Sequence, residues 1–161
     1  MALKATLKIA DVEQEFTIVE FEYKLYQFVN SNNTPVDAPH GGTIIVTINT
    51  PEKSDPLYDW MLKPTKQIDG RISVTINAKN KKISYKSIHF QSAYLTNMLE
   101  YFNNQSSDMM TTRLVIHAEK IFFMDGDDVG VGFNAQRQTR VRPPANIGKS
   151  PASSVKPVIL W

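Results

Sequence analysis

Three histidines, His40, His89 and His117, are the first residues in this chain whose type could do chemistry. They fall on separate stretches, and neither an HxH nor an HExxH spacing joins them, so a shared metal is not expected. Asp125-Gly126-Asp127-Asp128 has the look of a calcium loop. It lacks the glutamate that closes an EF-hand, and a solvated turn explains it better. Gly130-Val131-Gly132 lies in an irregular stretch rather than between a strand and a helix, so it does not qualify as a dinucleotide loop. Asp55 or Asp59 could act as an acid or base, but Asp55 precedes Pro56 and is better used to cap a helix. Arg137, Arg140 and Arg142 could meet phosphate, yet no aromatic residues are interleaved with them. No cysteine is present, which removes disulfides, thiolate metal sites and a cysteine nucleophile together. The reading is therefore of a protein with no catalytic residues, no cofactor and no metal.

The elements around these residues are mainly β. Leu3, Ala5, Leu7 and Ile9 alternate with Lys4, Thr6 and Lys8 in a half-buried first strand. A second runs from about residue 15 to 28. Its parity breaks between Ile18 and Phe21, which calls for a bulge or for burial of both faces. Ile44, Val46 and Ile48 share one face of a third strand after Gly41-Gly42. A short helix is expected at about 55–63, with Leu57, Trp60 and Met61 as one apolar stripe and Pro64 as its stop. Ile72, Val74 and Ile76 define the returning strand. Residues 83–102 read as an extended, kinked strand. In the strand over 109–123, Leu114, Ile116 and Ala118 fall on one face and Val115, Ile121 and Phe123 on the other. A strand apolar on both faces is buried twice, which makes Val115, Ile121 and Phe123 candidates for a subunit interface.

The bulk figures fit one domain. The chain has 161 residues, of which 42% are apolar and 21% charged, so it is long enough for a core and not disordered by composition. No apolar run approaches the roughly 20 residues of a membrane span, and the opening Met1–Thr6 lacks a signal-peptide core. Residues 1–123 carry 13 basic and 13 acidic side chains, too even a balance for a nucleic-acid partner. From Met124 onward glycine and proline punctuate the sequence and no period persists. The division is thus a domain over 1–123 and an irregular extension over 124–161, which by itself reads as disordered. Val158-Ile159-Leu160-Trp161 argues for docking instead, with Trp161 a further interface candidate.

Order and local sequence together resemble the Hcp (TssD) family of type VI secretion tube proteins, in its Bacteroidetes-like branch. The resemblance rests on Met1–Lys8, on His40-Gly41-Gly42-Thr43-Ile44 and on Lys86–Tyr94, and covers about residues 1–123. It implies a small β-barrel, or two packed sheets, with one flanking helix. It also implies rings of six copies that stack into a hollow tube, carry effectors and are expelled when a surrounding sheath contracts. The implied partners are further copies of the chain, a spike protein, sheath and baseplate components and effectors, with neither nucleic acid nor membrane insertion. The tube would assemble in the cytoplasm and leave on firing without a Sec signal. By position, the loop that reaches the next ring corresponds to 29–39, with Asn30, Asn32, Asn33, Thr34, Pro35, Val36 and Asp37 as candidate stacking residues. The 38 residues from Met124 depart from the family pattern. The alternative is a monomeric β-barrel that binds a small molecule, lined by Phe21, Tyr23, Phe90, Tyr94 and Phe102.

Overall fold

The computed structural model describes residues 2–105, 109–126, 128 and 130–144. Eight strands and one helix follow in the order β1 (Leu3–Ile9), β2 (Phe16–Tyr23), β3 (Thr43–Asn49), α1 (Asp55–Leu62), β4 (Ile68–Ala78), β5 (Lys81–Phe102), β6 (Met110–Asp125), β7 (Val131–Asn134) and β8 (Thr139–Val141). All pairings are antiparallel. The ladder β3-β2-β1-β4-β5-β6 closes on itself through β3–β6, giving a six-stranded barrel. Closure satisfies the backbone groups that an open edge would leave bare.

The interior is filled by side chains that alternate inward: Leu7 and Ile9 from β1, Ile44, Val46 and Ile48 from β3, Ile72 from β4, and Leu114 and Ile116 from β6, all at 0% exposure. α1 plugs the barrel as the Leu57–Trp60–Met61 stripe requires. Leu57 and Trp60 are buried, Met61 packs against them, and the Trp60 indole N–H donates to the Ala93 carbonyl at 3.1 Å. The helix spans the expected stretch, but its cap lies one residue earlier than Asp55. Ser54 occupies the cap and its carbonyl receives the Leu57 and Tyr58 amides, while Asp55 sits in the first turn beside Pro56. Lys63 is extended, as the residue before a proline must be.

The parity break in β2 is a bulge, with its pairing to β3 shifting between Ile18 and Glu20. The kink in β5 is real as well. Ser92 adopts φ 53°, and its amide donates to the Asp69 carboxylate at 2.8 Å. Burial raises the Asp69 pKa, an effect this hydrogen bond opposes. Around the kink the inward face changes parity. Phe90 and Ala93 both point into the core, and so do their partners Ile121 and Ala118 on β6. Ile121 therefore does not share an outward face with Val115. It is 1% exposed and packs in the same core as Leu114 and Ile116.

Two strands also lie where the sequence shows no period. β7 pairs with Lys120–Phe123 of β6, and β8 pairs with β7. The edge of β6 is thus shared, because β3 pairs with Thr111–His117 of the same strand. At the handover Gly42 holds φ 99°, and its carbonyl accepts the Ala118 amide at 2.8 Å. A Cβ there would sit 2.7 Å from Ala135 Cβ and 2.9 Å from the Ala118 carbonyl oxygen, so only glycine fits.

His89 is 1% exposed, and burial, followed by the Arg71 charge, holds its pKa down to about 4 from the ordinary 6.5. Between those values the unfolded chain binds the extra proton. Stability is therefore complete above pH 6.5 and falls as pH drops toward 4. Denaturant titrations should show a loss of about 2 kcal/mol between pH 7 and pH 5 from this group alone. The His89→Gln variant should show a correspondingly flatter profile.

Candidate functional site

Between β2 and β3 the chain leaves the barrel as an arm, residues 24–42. Its two limbs are tied by bridges at Tyr26–His40 and Val29–Pro35. Tyr26 and His40 exchange both backbone hydrogen bonds, at 3.0 and 2.7 Å, and the Val36 amide donates to the Phe28 carbonyl at 2.9 Å. Asparagines make the tip. The Asn30 side-chain oxygen accepts the Asn32 and Thr34 amides at 2.9 and 3.1 Å, and Asn33 takes the left-handed φ of 61° that asparagine tolerates. Asn30 and Asn33 thus shape the turn, leaving Asn32, Thr34, Pro35, Val36 and Asp37 as exposed surface. Exposed apolar residues continue along the limbs at Phe28, Val29 and Val36, each more than half accessible.

The base of the arm is braced by an aromatic and polar cluster. His40 stacks on Tyr26 with centroids 5.3 Å apart and meets the edge of Phe28 at 5.1 Å. One ring nitrogen lies 3.1 Å from the Asp37 carboxylate, and the other lies 3.0 Å from Nε2 of Gln138, in the β7–β8 turn. The Asp37 carboxyl is held below its ordinary value, first by the Ala38 amide and then by His40. The hairpin that follows β6 therefore supports an arm that begins nearly a hundred residues earlier in the chain. No sequence period signals this support.

The outward face of the β5–β6 ladder below the kink is a second exposed surface. Leu99 and Tyr101 are 52% and 55% exposed. Val115, half-buried and paired across from Asn97, sits beside them. Phe123, by contrast, turns inward, packs against the core and stacks on Tyr23 at 5.2 Å. Of the interface candidates, Val115 alone lies on this outward face, and Trp161 falls outside the described residues.

The groups with chemical potential are dispersed. His40 belongs to the arm and His89 to the sheet, and His117 contacts the Thr43 hydroxyl at 3.1 Å. Asp59 forms ion pairs with Lys66 and Lys63, and the hydrogen bonds they donate, that of Lys66 first, lower its pKa. Asp127 is outside the described residues, and among those described no three His, Asp or Glu side chains converge as a metal site would require. No described helix is long and apolar enough to cross a membrane. The aromatics considered as a ligand lining do not share a cavity. Phe90 is fully buried in the core, whereas Tyr94 and Phe102 are exposed. A groove of about 550 Å³ opens where β1 and β2 diverge, lined by Leu3, Ala5, Ile18, Val19, Phe21 and Val74 among others.

These features define a closed antiparallel β-barrel that presents a braced arm and an apolar strand face. The family model for the hemolysin coregulated protein Hcp (TssD) matches residues 1–128, and the chain belongs to this family of type VI secretion tube proteins. Its fold is similar to that of Hcp1 from Flavobacterium johnsoniae, at 21% identity and a TM-score of 0.69, over 81% of this chain and 98% of that one. It is also similar to Hcp1 from Salmonella typhimurium (9% identity, TM-score 0.67, 87% and 100% covered). A third similar structure is the secreted protein Hcp3 from Pseudomonas aeruginosa (9%, 0.61, 83% and 98%). No curated protein matches the chain.

The brace makes the arm sensitive to a single distant side chain. Gln138→Ala should speed amide hydrogen exchange at residues 29–37 by about tenfold or more. Exchange in β1, β3 and β4 should be unchanged. Lowering the pH below 3.8, where Asp37 loses the charge that Ala38 and His40 hold, should loosen the same segment.

Proposed function

We propose that this chain is the structural subunit of a type VI secretion inner tube. Six copies close into a ring, rings stack into a hollow tube, and the tube carries effectors until sheath contraction expels it. Family membership supports the tube assignment. The observation that carries the stacking role is the arm, an ordered projection whose tip is exposed and whose base is braced from two sides.

A ring closed by rotation repeats one heterologous interface. Val115, with Leu99 and Tyr101 beside it, supplies an apolar face suited to such a side-by-side contact. Stacking uses a different surface, the arm tip from Asn32 to Asp37. The function is mechanical and non-enzymatic, and its determinants are shape and contact surface. The partners are other copies of the chain, the spike protein, sheath and baseplate components, and effectors. The tube assembles in the cytoplasm and its subunits appear outside on firing.

Light scattering with negative-stain imaging separates the two contacts. The unaltered protein should give rings of about six subunits, with stacks at high concentration. Pro35→Asp combined with Val36→Asp should keep the rings and abolish the stacks. Leu99→Asp combined with Val115→Asp should yield folded monomers. A monomer from the unaltered chain at high concentration would contradict the proposal.

A further inference from the structure

One seam of the barrel is paired over only part of its length. β1 pairs with β4 over all seven of its residues, and β2 pairs with β3 as far as Tyr23. Between β1 and β2 only two residue pairs form, Thr6 with Thr17 and Leu7 with Phe16. Beyond them the strands part. Among the described residues, Leu3, Lys4 and Ala5 on one wall and Ile18 to Phe21 on the other have no ladder partner across the gap.

The bulge in β2 explains the parting. Val19 is the extra residue where β2 shifts against β3, so exposed Val19 is followed by exposed Glu20, and only then by Phe21, which packs against the core. A continued register would set Leu3, of inward parity, opposite Glu20. Parity on the two walls no longer agrees, and the ladder stops. The groove of about 550 Å³ that results is of a size to hold an organic ligand. Ala5, Ile18, Phe21 and Val74 line its apolar floor, and Lys4 and Glu20 bring one charge of each sign.

We infer that this slot takes an extended peptide segment of a partner protein, inserted as a strand between β1 and β2. Two facing rows of backbone donors and acceptors recognise another backbone. A small apolar molecule would cover Ile18 and Phe21 but leave both rows unpaired, whereas a strand satisfies both. Because β1 and β2 are antiparallel, the inserted strand runs parallel to one wall and antiparallel to the other. It also removes the parity conflict, since it pairs with each wall in a register of its own. The unpaired part of β1 spans about 10 Å, so about three or four residues of the partner fill the slot. Those facing the core are aliphatic, to meet Ala5, Ile18, Phe21 and Val74. Those facing out are uncharged, because a charge of either sign would meet its like at Lys4 or Glu20. The inference goes beyond ring closure and stacking and requires neither.

Hydrogen exchange followed by mass spectrometry on the full-length protein tests it. The probe is a short capped peptide of alternating valine and threonine. Bound probe should slow exchange at residues 3–5 and 18–21 by about tenfold or more, with β6 unchanged. The same peptide N-methylated at every second residue keeps its side chains but loses its donors to one wall, and should give no protection. Leu3→Asp alters a side chain already 56% exposed, so the fold should persist. It should weaken probe binding at least about tenfold by placing a carboxylate in the slot. No protection at millimolar probe would overturn the inference, as would undiminished binding to Leu3→Asp. Equal protection by the N-methylated peptide would also overturn it, making the groove a site for apolar molecules that does not read a backbone. Protection of the same amides in rings without probe, absent from monomers, would overturn it by assigning the slot to a neighbouring copy.

Discussion

The edge of β6 that completes the barrel has to serve two partners, and the rest of the molecule is arranged around that constraint. Its first half pairs with β3 and closes the barrel, and its second half pairs with β7. The chain between β2 and β3 must enter the sheet where these partners meet, and only a glycine at φ 99° fits between Ala118 and Ala135. This handover sets the root of the arm beside the β7–β8 turn, close enough for Gln138 to reach His40. Barrel closure, placement of the arm and its support thus share one junction. Disturbing it would disturb the proposed stacking surface without touching a residue of that surface.

Much of this was legible in the sequence because it is local. The inward parity of β1, β3 and β4, the Leu57–Trp60–Met61 stripe, the parity break in β2 and the arm itself all follow from spacing and residue type, while the structure decides that the break is a bulge rather than burial of both faces. The Hcp resemblance rested on the same stretches and agrees with a family match over residues 1–128. The placement of Ile121 and Phe123 on the face opposite Leu114 failed because alternation was carried through a point where it stops. The left-handed Ser92, held by Asp69 from another strand, resets the inward face of β5, and β6 follows in register. A tertiary hydrogen bond of that kind leaves no periodic trace. β7 and β8 were missed for a related reason. They are four and three residues long, shorter than a pattern needs, and they exist because β6 offers them an edge.

The division of surfaces gives a physical account of how a protein without clustered reactive groups can act through assembly. Apolar side chains left at more than half exposure, on the arm and on the lower β5–β6 face, are costly in an isolated protein and useful in a repeated contact. Above the kink, the outward Phe122 and Met124 are instead only 2% and 6% exposed and pack with Val141. Both occur on the same pair of strands, separated by the kink at Ser92.

The most direct test of the tube account is a cryo-electron microscopy reconstruction of the assembled protein. The account predicts stacked rings with the tip from Asn32 to Asp37 in contact with the neighbouring ring, and with Leu99 and Val115 inside the contact between adjacent subunits. Stacks in which that tip faces solvent, joined through another surface, would contradict it.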